Sequence, residues 1–440
     1  MGNAPGTGVV STSSSITTAS STSTTTTTSE STCKHKTNIV YSSGYNISFL
    51  GLENLHPFDS KKYGRVVQFL IDKKVITLEQ LLVPKPVTND VLIKVHSIIY
   101  LKSLLLSSET VARILEVLPL QFLPINVLDA QVLTPMRLAT GGTIMAVIAA
   151  LVDAVPPPAL TADAQPSITI TTASAAHTID KIATKTDTKE HKSSEQSQSV
   201  KRHGWAINLG GGYHHCSGKQ GGGFCVYADI SLAIVTVSQQ LPHIRKFIII
   251  DLDAHQGNGY ANDKLDGVFE KVGADVYILD MFNGSIYPGD IRAKLAINKP
   301  IVLKSGTSDV EYLSLLKTAL NEAFAEFQPQ LIIYNAGTDC LSGDPLGQLN
   351  ISAKGICERD SLVFQAAFER SIPIAMVLSG GYQKSNALVI ANSIENLDRQ
   401  FSLVSKELNV ASPLTTVAST YTSDTPPSPV TPAIASQLRL

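Results

Sequence analysis

The sequence has few cysteines, and their placement suits neither bridging nor structural metal binding. Five of them (Cys33, Cys216, Cys225, Cys340, Cys357) are scattered over 440 residues, an odd number with no C-x-x-C pair. That pattern fits reduced thiols and argues against a zinc site built on closely spaced cysteines. Charge of one sign is lacking too. Lys plus Arg number 35 against 37 Asp plus Glu, a formal net charge of -2, so no whole-chain field draws in DNA or an anionic membrane. Direct nucleic-acid binding is not expected. The opening residues lack the apolar core of a secretory signal. The longest apolar stretch, Ile144 to Val155, is interrupted by Asp153 and is shorter than a membrane span. Met1-Gly2 begins a myristoylation motif, but Gly6 stands where that motif wants Ser or Thr. A soluble intracellular protein without a membrane span is expected, and no repeat of fixed period is present.

What is there is enough apolar residue, 43% of the chain, for a large core. Three segments contribute little to it. Residues 1–38 are dominated by Ser and Thr and are expected to be disordered, because too little apolar surface offsets the entropy of ordering the backbone. A biased stretch at about 156–199, opening with Pro156-Pro157-Pro158, reads as a flexible insertion, and 411–440 as a disordered tail rich in Ser, Thr and Pro. The remainder, 39–410, is expected to be one α/β domain. Strands are predicted at 205–209, 246–252, 275–281, 299–304, 330–336 and 372–379, separated by helix-like segments such as 227–239, 309–327 and 354–368. That alternation implies a mostly parallel central sheet flanked by helices. Amphipathic stretches at 61–73 and 89–107 supply helices to the same domain.

Four of the apolar runs end in polar side chains suited to metal-assisted amide hydrolysis, where an open α/β sheet places its ligand site. Asp253 and His255, spaced i, i+2 beyond one run, point the same way if the backbone is extended. A capping Asp beside a hydrogen-bonded His is the plainer alternative. Asp339, at the end of another run, favours the metal: two carboxylates and one imidazole form a three-ligand zinc site with a fourth position open. Such an ion polarises a carbonyl and lowers the pKa of water from about 15.7 toward about 7. His214-His215, after Gly210-Gly211-Gly212, place two imidazoles at a further strand end, one to take a proton and one to give one. As adjacent histidines they are otherwise ordinary surface residues. Tyr382, after Gly380-Gly381, offers a phenol to an oxyanion, or is simply a buried aromatic. Gly221-Gly222-Gly223-Phe224-Cys225 suits a narrow slot for an aliphatic chain, or a flexible loop.

Taken together these motifs resemble the zinc-dependent lysine deacetylases, and specifically the class IV branch of the histone deacetylase family. The resemblance runs from about Tyr41 to about Leu397. It rests on Asn54-Leu-His-Pro-Phe-Asp59, Thr140-Gly-Gly-Thr143, Gly210 to Cys216, Gly221 to Cys225, Asp251-Leu-Asp-Ala-His-Gln-Gly-Asn-Gly259, Tyr287-Pro-Gly-Asp290, Asn335-Ala-Gly-Thr-Asp339 and Ser379-Gly-Gly-Tyr-Gln-Lys384. It implies an arginase-like α/β fold, zinc on Asp253, His255 and Asp339, and a catalytic pair His214 and His215 with His215 the general base. It also implies that Tyr382 polarises the acyl carbonyl, that Gly223 and Phe224 line a lysine tunnel with Tyr287 on the opposite wall, and that Asp251 orients His214. A structural K+ site near Asp251 and the backbone around Asp253 and His255 comes with the same resemblance. So do acyl-lysine proteins, including histone tails, as substrates, corepressor or regulatory proteins as partners, and residence in nucleus, cytoplasm or both.

One departure from the commonest family pattern is Asn258, which stands where class I members pair an Asp with the second histidine. A neutral amide holds the ring tautomer but stabilises imidazolium less than a carboxylate does, so His215 is expected to be the weaker base. The 156–199 insertion replaces a connection that is short in the family, at modest closure entropy. Other readings on the same sequence are a deacetylase of acetylated polyamines, a binuclear manganese ureohydrolase, whose extra bridging carboxylates are missing here, and a scaffold whose low-complexity segments act through partners.

Overall fold

The computed structural model describes residues 36–47, 58–154 and 203–404. The expected insertion at 156–199, the tail at 411–440 and residues 1–35 of the expected disordered start lie outside the described residues, as does the Asn54 to Pro57 part of the first motif. Residues 36–38, the end of that start, are instead held in the fold, where the Thr37 N–H donates to the Gln80 carbonyl at 2.8 Å.

Seven parallel strands form one sheet: β1 (Ile39–Val40), β2 (Trp205–Asn208), β3 (Lys246–Asp251), β4 (Asp275–Asn283), β5 (Lys299–Leu303), β6 (Leu331–Asn335) and β7 (Ile374–Val377). Their order is β1-β2-β7-β6-β3-β4-β5. Around the sheet lie α1 (Lys62–Asp72), α2 (Asn89–Leu92), α3 (Ile98–Leu106), α4 (Ser108–Ile114), α5 (Ile125–Leu128), α6 (Thr134–Ala154), α7 (Asp229–Gln240), α8 (Asn258–Leu265), α9 (Ile291–Lys294), α10 (Asp309–Glu326), α11 (Ala353–Glu369) and α12 (Asn386–Phe401). The six expected strands are all present, and the sheet is flanked by helices as the alternation implied.

The central strands β2, β3, β6 and β7 read as nearly continuous apolar runs because both faces of the sheet are covered there, whereas edge strand β5 leaves Val302 exposed. Along β3, Ile248 and Ile250 join the core on one face, while Phe247 and Ile249 join the core on the other. A third cluster, built from α3, α4 and the segment after them, packs under the Gly221 to Phe224 loop. The amphipathic stretch 89–107 is divided in two, since Ser97 caps a new helix by accepting the Tyr100 N–H.

The helix ending at Ala154 is longer than its apolar stretch suggested. It runs continuously over Ile125–Ala154, 30 residues, long and apolar enough to cross a membrane by length and composition. Half of its most apolar window is buried inside the protein, and α6 packs on β2, β7 and α7. This is the behaviour of a core helix. A π-turn at Asp129–Leu133 lies just ahead of Pro135, which has no N–H to offer the helix.

Adjacent strands β2, β7, β6 and β3 bring four polar segments to one edge. Asp251 stands in register with Asn335, and Asn208 with Val377, so the segments following these positions meet at the carboxyl end of the sheet.

Candidate active site

Asp253, His255 and Asp339 are buried, and each offers a ligand atom within 4.8 Å of the others. His255 Nδ1 lies 3.1 Å from Asp253 Oδ1 and 2.8 Å from Asp339 Oδ2. Their remaining oxygens are tied down. Asp253 Oδ2 accepts from Ser379 Oγ at 2.7 Å and from the Gly380 N–H at 2.8 Å, and Asp339 Oδ1 accepts from the Ala254 N–H at 2.7 Å. Burial and the neighbouring Asp253 push the Asp339 carboxyl up to about 7. Two carboxylates packed so closely repel, and a divalent cation offsets both charges. The donor set is therefore compatible with a metal site. Gly380 has no alternative here, since a Cβ at that position would lie 2.2 Å from Asp339 Oδ2.

His214 and His215 are buried beside this cluster, with ring centroids 4.1 Å apart. Their partners differ. His214 Nδ1 faces Asp251 Oδ2 at 2.9 Å, while His215 Nδ1 faces Asn258 Oδ1 at 2.8 Å. Burial disfavours charge on both rings. Beside His214 the carboxylates of Asp251 and Asp253 outweigh burial and lift it to about 9. His215, with burial reinforced by the charges of His214 and His255, is pushed well below the usual histidine range. The two partners thus bias the rings in opposite directions, His214 toward the charged form and His215 toward the neutral one.

Asp251 is held by more than His214: Tyr260 Oη donates to Oδ2 at 2.8 Å, and Asn335 Nδ2 donates to both oxygens at 3.0 and 3.1 Å. Tyr382 faces the same cleft, its ring edge-on to His255 with centroids 6.0 Å apart. Burial raises its pKa well above the usual phenol value, so the hydroxyl remains a donor. Phe224 meets Phe58 with ring centroids 4.8 Å apart. Gly223 has φ of +51°, and a Cβ there would lie 2.5 Å from the His215 ring. Tyr287 packs edge-on to His215 with centroids 4.9 Å apart and is 47% exposed, at the outer side of the cleft.

Of the candidate site residues, His214, His215, Gly223, Phe224, Asp253 and Tyr382 line one cleft, and Asp251, Asn258, His255, Asp339 and Tyr287 contact one or more of them. Sequence reasoning gave no role to Phe58 or Lys62. Lys62 is fully buried, and its Nζ donates to the carbonyls of Ser379 and Gly380 at 2.5 and 2.8 Å. Burial lowers its pKa to about 8, opposed by the carboxylates of Asp339, Asp253 and Asp344. Phe58 sits inside a motif and was legible as such. Lys62 lies in an ordinary amphipathic helix pattern, where nothing marks it.

Comparison with known proteins identifies the family. The family model described as the histone deacetylase domain matches residues 56–396. Histone deacetylase 2 of Arabidopsis thaliana is 45% identical over 367 residues, covering 83% of this chain and 79% of that protein. Histone deacetylase 1 of Homo sapiens is 32% identical over 194 residues, 41% of this chain and 36% of that protein. The crystal structure of an HDAC homolog from Aquifex aeolicus shares the fold, with a TM-score of 0.55 at 18% identity over 83% of this chain and 84% of its own. This chain belongs to the histone deacetylase family and is a lysine deacetylase enzyme.

Proposed function

We propose that the chain is a zinc-dependent hydrolase of the class IV branch, removing acetyl or long-chain fatty acyl groups from lysine side chains of histones or other proteins. The observation that carries this reading is the buried Asp253, His255 and Asp339 cluster at the foot of the cleft, with the His214 and His215 pair beside it. An amide opposite His215, rather than a carboxylate, is what supports class IV.

Zinc held by the three ligands would polarise the acyl carbonyl and acidify a water molecule beside it. His215, neutral and with Nδ1 engaged by Asn258, is set to take the proton of the attacking water at Nε2. His214, protonated and held by Asp251, is set to deliver one to the departing lysine amine. The Tyr382 hydroxyl donates to the developing oxyanion, a contact worth roughly 2.7 to 4 kcal/mol in comparable sites. Gly223 and Phe224, with Phe58 opposite, form walls for the aliphatic part of the acyl-lysine, and Tyr287 stands at the rim.

A structural K+ beside Asp251 belongs to the same proposal. The buried Asp280 Oδ1, with no hydrogen-bond partner, supports it, as β4 places Asp280 in register with Asp251. We also assign 39–410 to one catalytic domain interrupted by 156–199, place the protein in nucleus, cytoplasm or both, and name histone tails as substrates and corepressor or regulatory proteins as partners. The test is zinc content followed by turnover of acetyl-lysine and myristoyl-lysine peptides, with Asp253→Ala as control. A zinc-loaded protein inert on both, yet retained by a partner, would favour a scaffold.

A further inference from the structure

The side chain of Asn258 has two chemically different ends, and only one of them suits His215. With Oδ1 2.8 Å from His215 Nδ1, that ring nitrogen carries the hydrogen and Nε2 keeps its lone pair. Turned over, the amide would offer an N–H to Nδ1 and force the opposite tautomer, with the hydrogen on the nitrogen that must accept a proton. The two orientations fill the same space, so packing does not choose between them.

The choice is made on the far side of the amide. Asn258 Nδ2 donates to Asp290 Oδ2 at 3.3 Å, and a carboxylate only accepts. Asp290 is itself fixed. Its Oδ1 accepts the Ala293 N–H at 3.0 Å as the cap of α9, and its Oδ2 also accepts from Asn262 Nδ2 at 2.8 Å. Asn262 is oriented in turn by Arg292, which donates to Asn262 Oδ1 and, at 2.7 Å, to Asp266. An acceptor-only carboxylate and a donor-only guanidinium therefore bracket two amides, leaving one consistent set of orientations. Burial opposes ionisation of Asp290, but the surrounding donors hold its carboxyl below the usual range.

We propose that Asp290 is a positioning residue for deacylation: through the orientation it imposes on Asn258, it selects the His215 tautomer that leaves Nε2 free to accept a proton. This rests on the reading of His215 as the proton acceptor. It also assigns a purpose to an acid that a carboxylate at 258 would make unnecessary, since both carboxylate oxygens accept.

The test is a cycle of wild type, Asp290→Ser, Asn258→Asp and the double variant, each as zinc-loaded full chain. Serine still caps α9 but is too short to reach Asn258. In the wild-type background Asp290→Ser is expected to lower kcat/KM by about 10-fold or more, acting on kcat with KM nearly unchanged. In the Asn258→Asp background the same change is expected to cost nothing, or to raise the rate by removing a repelling neighbour. Equal losses in both backgrounds, or no loss in either, would overturn the proposal. Nitrogen-15 NMR of the His215 ring decides the matter without turnover. Wild type is expected to show Nδ1–H alone and Asp290→Ser a mixture of tautomers; an unchanged tautomer in the variant would also overturn it. Wild type inert on every acyl-lysine peptide, yet with the NMR result as expected, would instead remove the enzymatic reading.

Discussion

His255 Nδ1 lies 2.8 Å from Asp339 Oδ2, although the two residues are 84 apart in the chain. The approach follows from the pairing of β3 with β6, which sets Asp251 against Asn335 and so delivers both following segments to one point. Asp339→Asn keeps the size of the side chain and removes its charge. Zinc affinity is expected to fall by more than about 100-fold, the upper end of what losing a merely supporting partner costs. The metal-free fold should change little in stability, because relief of the repulsion between two buried carboxylates offsets loss of the charged pairing with His255. Zinc retention against a graded chelator, with thermal unfolding of the apo protein, checks both parts.

Tyr382→Phe removes one hydroxyl from the cleft and leaves the ring contacts with His255 and Phe58. A donor that acts on the oxyanion is felt in the transition state, so kcat should drop by about 100- to 1,000-fold while KM changes little. Steady-state kinetics on an acetyl-lysine peptide separates the two. A loss confined to KM would mean that the phenol only binds substrate.

Asn258→Asp places a carboxylate against His215 Nδ1. An opposite charge at that distance favours imidazolium and raises the ring pKa. The acidic limb of the kcat/KM profile, which reports the base in the free enzyme, should move to higher pH by about one unit or more. An unmoved limb would contradict the pairing of these two residues.

His96 gives a pH dependence of stability remote from the cleft chemistry. It is buried, and its Nε2 accepts the Ala228 N–H at 3.1 Å, an arrangement that needs the neutral ring. Burial lowers its pKa from 6.5 to about 4, against a smaller opposing effect of the Ser217 and Gly218 backbone. The unfolded chain therefore takes up the proton first as pH falls. The contribution is complete above the unfolded value of 6.5 and is lost progressively as pH drops toward 4, to a total of roughly 3 kcal/mol. His96→Gln, which can still accept from Ala228, should lose less stability than wild type between pH 7 and pH 4. Parallel denaturation curves for the two proteins would rule this out.

Much of the fold was legible because a parallel sheet covered on both faces writes its central strands as short apolar runs, as with Phe247 to Ile250. β1 escaped because two residues, Ile39 and Val40, carry no period. The upstream half of the helix ending at Ala154 escaped because the long apolar run that marks it begins only at Ile144; the helix passes through a π-turn at Asp129–Leu133 and Pro135 before that run. The candidate ligands were legible for a local reason: Asp253 and His255 share one strand end, and Asp339 follows another. The supporting groups were not. Lys62 reaches Ser379 across 317 positions, and Asp290 reaches Asn258 across 32, so their parts depend on tertiary contacts that no spacing in the sequence announces. Tyr260 is closer to hand, two residues after Asn258. Its role on Asp251 still depends on the turn that α8 makes back toward β3.

Zinc K-edge X-ray absorption of the purified full chain tests the central claim most directly. The account predicts bound zinc with a shell of nitrogen and oxygen alone at about 2.0–2.2 Å, including the outer scattering of one imidazole, and loss of that signal in Asp253→Ala. A sulfur shell at about 2.3 Å, or a shell unchanged by that substitution, would contradict it.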